Sequence, residues 1–256
     1  MILREIMMKR LILASITTLV LSTMATADAV SFADPKGDDH GDGTLIYPTN
    51  PVFRPGVFDL VAFTATPEGN RLHLEFEMAA PIQNEWNMAG GFDVQMLFVF
   101  IDTRPGGHTD GLPGLNVAFA EDGGWEHAIV ISPQPLERVV SEIPKAGELA
   151  SDVLAADDVA AAGHTISAYV PLDDLAELPL TNWGFQVLVQ SNEGFPEDND
   201  LLTRRVNEFE SEYRFGGGSD GDCDPHVVDV LGSSDQLSYE CGVETATIRM
   251  LQTSNK

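Results

Sequence analysis

Basic residues are scarce: 14 lysines and arginines stand against 40 aspartates and glutamates, a formal charge of −26. A chain this acidic repels polyanions, which excludes unaided binding to nucleic acid or to an anionic membrane surface. Cysteine is rarer still, with Cys223 and Cys241 alone. Neither has a histidine at nucleophile or zinc-ligand spacing, so thiol catalysis and zinc are set aside. Beyond the N-terminus the longest apolar run is residues 96–101, far below the roughly 20 residues of a membrane helix, so no membrane insertion is expected. Gly-x-Ser-x-Gly, His-Glu-x-x-His and phosphate-loop motifs are also missing. Glycosidase chemistry needs two carboxylates at a defined separation, and nothing marks out such a pair among the 40 acids. The chain is therefore not expected to be an enzyme.

The basic residues that do exist are informative at the start. Arg4, Lys9 and Arg10 precede a short apolar run, residues 11–20, and then the small residues Ala25-Thr26-Ala27 or Ala27-Asp28-Ala29. This is the order of a secretory leader, residues 1–29, cleaved near 27 or 29. Export to the periplasm or the extracellular space follows, and no cysteine near the cleavage point offers a lipid anchor. In an oxidising compartment Cys223 and Cys241 are expected to pair, closing a loop of about 18 residues worth roughly 3 kcal/mol. Residues 30–256 show no repeat and no low-complexity linker, and read as one domain.

Alternation is clearest at residues 71–78, where Leu72, Leu74, Phe76 and Met78 face one way and Arg71, His73, Glu75 and Glu77 the other, as in a half-buried strand. Residues 94–101 are apolar at every position but Gln95, as in a strand covered on both faces. Further strands are expected at 57–66, 115–120, 126–131, 165–170, 183–190 and 243–251. Turn residues such as Pro67-Glu68-Gly69-Asn70 and Asp122-Gly123-Gly124 separate the segments. The fold expected is all-β, an antiparallel β-sandwich with one or two short helices, one of them at 172–177.

Acid clusters twice. In "DPKGDDHGDG", residues 34–43, four aspartates share nine positions with three glycines; in "GGGSDGDCDP", residues 216–225, Asp220, Asp222 and Asp224 alternate. Hard cations such as calcium take six to eight oxygens, and glycines let carbonyls turn toward them. Neither stretch has the order of an EF-hand. On composition alone each is either a solvated acidic turn or a cation site.

These two stretches carry a resemblance. "DPKGDDHGDGTLIYPTNPVFRPGVFDLVAF" resembles the opening signature of the C-terminal binding module of glucodextranase, also found on pullulanases and amylases. "YRFGGGSDGDCDPHVVDVLG", residues 213–232, resembles its closing signature, and "VFIDTRPGG", "LPGLNVAF" and "WGFQVLVQSNEGF" resemble its middle. Leu45, Asp42 and His226 depart from the family's usual residues, and Cys223 is an addition. The resemblance implies a DOMON-like jelly-roll sandwich akin to family 9 carbohydrate-binding modules, with calcium as cofactor. Its task would be binding an α-glucan, a related polysaccharide or a cell-surface glycan, beside a glycoside hydrolase or surface protein. Asp34, Asp38, Asp39, Asp59, Asp220, Asp222 and Asp224 are then the candidate metal ligands. For sugar stacking the candidate is Trp86, with Asn84 and Asn87 beside it, because a flat ring among hydrogen-bonding neighbours suits a pyranose face. Trp125 and Trp183 are expected in the core.

A periplasmic redox or protein-interaction module on the same scaffold is the alternative, since some DOMON relatives hold haem through His or Met. The chain offers His73, Met78, Met88, Met96, His108, His127, His164 and His226, without Cys-x-x-Cys-His. His73 falls on the polar face of its strand, and Met78 and Met96 fall on apolar runs.

Overall fold

A computed structural model describes residues 29–177, 179–219 and 223–253. Nearly all of the expected leader, together with Asp220 and Asp222, lies outside the described residues. In chain order the strands are β1 (Val30–Ala33), β2 (Leu60–Glu68), β3 (Arg71–Met78), β4 (Gln95–Asp102), β5 (Ala118–Phe119), β6 (His127–Ile131), β7 (Val153–Ala155), β8 (Asp157–Ala162), β9 (Thr165–Pro171), β10 (Gly184–Ser191), β11 (Asp229–Val230), β12 (Thr247–Ile248) and β13 (Leu251–Gln252). One α-helix, α1 (Leu136–Glu142), runs into a kinked 3-10 segment, Ile143–Asp152.

The strands form two main sheets, as an all-β sandwich requires. One has the order β1-β2-β3-β9-β8, all antiparallel. The other runs β11-β10-β4-β6-β7, with β13 also on β10 and a parallel pairing only between β6 and β7. Alternation explains the first sheet: Leu72, Leu74, Phe76 and Met78 of β3, with Ile166, Ala168 and Val170 of β9, turn inward, leaving the charged faces outside. Against them pack Leu97, Val99 and Ile101 of β4 and Phe185, Val187 and Val189 of β10.

The continuous apolar run of β4 has its explanation on the opposite face. Met96, Phe98 and Phe100 enter a second core with Leu112, Leu115, Trp125, Val139, Leu237 and Ile248. Loops, α1 and the C-terminal segment thus cover the outer face of this sheet, so that β4, paired on both edges, is buried on both faces. Burial there stabilises the fold by roughly 25 cal/mol for each Å² of apolar surface removed from water.

The structure differs from the sequence reading at several elements. The expected strand at 243–251 is broken into β12 and β13, and 115–120 forms only the two residues of β5. The helix expected at 172–177 is a single 3-10 turn, Leu172–Asp174; the longer helical segment lies at 136–152, where the apolar positions pack on the second core. Cys223 and Cys241 are disulfide-bonded, with Cα atoms 5.6 Å apart, within the usual span of such bridges. No helix among the described residues is long and apolar enough to cross a membrane.

The chain passes through one end of the sandwich repeatedly. β2 begins there and β3 ends there, paired Leu60 to Met78; β4 begins and β10 ends there, paired Gln95 to Ser191. Gln95 Nε2 ties the sheets by donating to the Val57 carbonyl at 2.9 Å. The long connections 34–59, 79–94 and 192–228 meet at this end, and they carry the candidate residues.

Candidate metal centre and aromatic platform

Two strand ends aim carboxylates at one point, and a third stands beside it. Asp34 follows β1, its own amide donating to the Val61 carbonyl at 3.0 Å; Asp59 precedes β2; Asp229 opens β11. Oxygens of Asp34, Asp38 and Asp229 lie within 4.8 Å of one another. Asp229 is fully buried and crosses between the sheets, accepting from the amides of Leu60 at 2.7 Å and Val230 at 2.8 Å. Asp59, 3 % exposed, accepts from the amide of Gly37 at 2.8 Å. Gly37 has φ +87°, a conformation that favours glycine and lets the amide face inward. Asp34 accepts from the amide of Gly232.

What remains is a surplus of acceptors. Asp34 Oδ2, Asp38 Oδ1 and Asp59 Oδ1 are buried without a hydrogen-bond partner. Burial pushes the Asp34 carboxyl up to about 8, reinforced by Asp38 and Asp59 and opposed by the Gly232 amide. Asp59 is pushed up to about 6 by burial and by the charges of Asp39 and Asp38. Asp38 is raised by burial and Asp39, and Asp229 well above its ordinary value by burial and Asp34. Carboxylates in this state either keep protons or share a cation. The donors are oxygens only, which suits a hard divalent cation such as calcium rather than zinc or copper.

Of the residues singled out from the sequence, Asp34 and Asp38 stand in this group and Asp59 adjoins it. Asp39 stands beside it, accepting from the Tyr47 hydroxyl, with His40 Nε2 3.8 Å from its other oxygen. Asp224 is engaged elsewhere: its Oδ1 accepts from the amide and hydroxyl of Ser219 at 2.8 and 2.6 Å. Asp229 was not singled out, although it closes the Asp-Pro-x-Val-x-Asp run of residues 224–229. The opening and closing signatures thus supply one group from opposite ends of the chain.

The same end of the sandwich exposes aromatic rings. Trp86 is 38 % exposed and Tyr213 41 %, with centroids 6.3 Å apart and planes inclined at 58°. Both stand edge-on to the buried Phe53, at 6.2 and 6.5 Å. Asp93 Oδ2 accepts from the amides of Glu85, at 2.7 Å, and Trp86, and so fixes the Trp86 turn. Arg204, itself nearly buried, donates to the Tyr213 carbonyl at 2.7 Å and holds the second ring. Asn50 Nδ2 donates to Glu212 Oε1 at 3.2 Å beside Tyr213.

Asn84 spends both ends of its amide on Met88, and Asn87 supplies a turn with φ +53°. Trp125 and Trp183 are fully buried, as are Met78 and Met96, and His73 stacks flat on Tyr169 at 4.4 Å. Tyr213 was missed in the sequence because its signature, Tyr-Arg-Phe-Gly-Gly-Gly, draws attention to the glycines that follow. Gly217 illustrates their role: at φ +91°, an added Cβ would meet the Thr44 carbonyl oxygen at 2.2 Å, where the chain presses against the acidic loop.

No curated protein matches the chain. Residues 29–244 match the family described as the C-terminal binding-module, SLH-like, of glucodextranase, and with both of that family's terminal signatures converging on one end of the sandwich, the chain belongs to it.

Proposed function

We propose that the protein is an exported, non-catalytic accessory module that holds calcium and binds an α-linked glucan or a related polysaccharide. The observation that carries the reading is the pair Trp86 and Tyr213, two half-exposed rings on a common aromatic base with Asn50 and Glu212 at the edge. Pyranose C–H faces stack on such rings while hydroxyls bond the amide and carboxylate. The family's description as a module of glucodextranase supports the glucan class, and the two inclined rings offer two stacking faces. Membership in a binding-module family supports the non-catalytic reading.

Calcium suits the Asp34, Asp38 and Asp229 group, with Asp59 adjoining, because the orphaned buried oxygens there fit an oxygen-seeking cation. The leader-like N-terminus supports export, and a glycoside hydrolase or surface protein is the fitting companion for such a module. Affinity electrophoresis through gels containing dextran, starch or pullulan tests the sugar. The wild type is expected to be retarded. Trp86→Ala is expected to lose about tenfold in affinity, about 1 kcal/mol or more for one stacked ring. Retardation by no polysaccharide refutes the reading.

A further inference from the structure

We propose that cation binding at the acidic group and sugar binding at the aromatic platform are thermodynamically coupled through the connection 34–59. This rests on the reading of both sites given above and adds their linkage. The connection carries Asp34 and Asp38 at one end and Asp59 at the other; between them it carries Asn50 and Phe53, the edge and the base of the platform. One end of the segment that supports the rings therefore stands in the acidic group, and the other, at Asp59, is tied to it through the Gly37 amide.

A second route runs through side chains. Asp39, next to Asp38, accepts from the Tyr47 hydroxyl. The Tyr47 ring packs on Phe215 at 4.8 Å and Phe58 at 5.9 Å. Phe58 and Phe215 each pack on Phe53, at 6.2 and 6.3 Å, and Phe53 carries Trp86 and Tyr213. Every ring in the series touches the next, and interiors packed in this way transmit displacements rather than absorb them.

The acidic group has an independent mark of a ligand. Asp59 is 3 % exposed, accepts with one oxygen from the amide of Gly37, between Asp34 and Asp38 in the acidic loop, and keeps Oδ1 buried without a partner. Without a cation no ion ties these carboxylates together, so the stretch through Asp39 and Tyr47 is held less closely under Phe53 and Trp86. With one, the connection is drawn into a single arrangement. Coupling of this kind is reciprocal: whatever factor calcium adds to sugar affinity, sugar adds to calcium affinity, typically about fivefold or more.

Acrylamide quenching of tryptophan fluorescence reads the effect directly, because Trp125 and Trp183 are buried and the quenchable signal belongs to Trp86. Chelator-stripped protein is titrated with calcium chloride, with calorimetry on the same samples, and its retardation by pullulan gels is compared in calcium and in chelator, where equal retardation overturns the coupling. The expected result is a heat of binding and, over the same concentration range, a fall in the quenching constant. Trp86→Phe should lose the fall. Tyr47→Phe keeps the ring but removes the bond to Asp39, and should still bind calcium with a smaller fall. Heat of binding with unchanged quenching in the wild type overturns the coupling and leaves the metal centre standing. A full-sized fall in Tyr47→Phe overturns the route through Asp39. Neither heat nor any change in quenching overturns the metal reading and the coupling with it.

Discussion

Replacing Asp38 with Asn should change stability in opposite directions depending on calcium. The substitution removes a charge, keeps the volume, and spares the amide donations that Asp59 and Asp229 receive. Like charges at the 4.8 Å limit of the group repel by about 3.5 kcal/mol at an effective dielectric of roughly 20. Asp38 is partly exposed, and Asp34, pushed up to about 8, keeps its proton at neutral pH; about 1 kcal/mol is therefore the working figure. In chelator Asp38→Asn should raise the melting temperature by about 2–4 °C, the shift per kcal/mol for a domain of this size.

In calcium the sign reverses. Taking a dissociation constant of roughly 0.1–1 mM, as in extracellular calcium modules, 10 mM calcium stabilises the wild type by about 1.4–2.7 kcal/mol. A variant that has lost a ligand forfeits most of this while keeping the relief of about 1 kcal/mol, and should melt about 1–7 °C below the wild type. Scanning calorimetry of both proteins in both buffers gives the four numbers. Equal shifts in chelator and calcium would refute the cation and leave a solvated acidic turn.

Four further outcomes follow from the same geometry. In chelator, stability should fall as pH rises from about 4 to about 8, because Asp34 and Asp59 titrate higher in the folded chain than their ordinary 3.8 and the stability they contribute at low pH is lost through their folded values; saturating calcium should flatten the profile, and a profile rising with pH in chelator would contradict the burial of the group. Thiol titration of denatured, unreduced protein should find no free sulfhydryl, whereas two would be incompatible with the Cys223–Cys241 bridge. Reducing that bridge should cost roughly 3 kcal/mol, read as a lower denaturant midpoint. Mass spectrometry of the exported protein should place its N-terminus at Asp28 or Val30; an intact leader would argue against export.

The sheets were legible where burial imposed a pattern. Residues 71–78 alternate because one face of β3 meets the core and the other meets water, and β4 reads as continuously apolar because a second core covers its far side. β1, β7, β8 and β11 gave no such signal. β11 has two residues and β7 three, and β8, an edge strand of small residues, alternates only in exposure. The segment 136–152 was hidden because its apolar side chains serve a satellite core rather than an amphipathic helix of ordinary length.

At the site, Asp34 and Asp38 could be named because a dense acidic run announces its own repulsion, and Asp59 because it stands in the Pro-Gly-x-x-Asp-Leu part of the opening signature. Asp229 could not: it is one acid among valines, and only the fold brings it 195 positions back to Asp34. Tyr213 has the same history, a ring whose partner Trp86 lies on another connection.

The most direct test of the account is anomalous diffraction from crystals grown in calcium. One calcium peak is expected among Asp34, Asp38 and Asp229, with carboxylate oxygens at about 2.3–2.6 Å. A structure at millimolar calcium with no peak there, and with Asp34 hydrogen-bonded to its neighbours as a protonated acid, would contradict it.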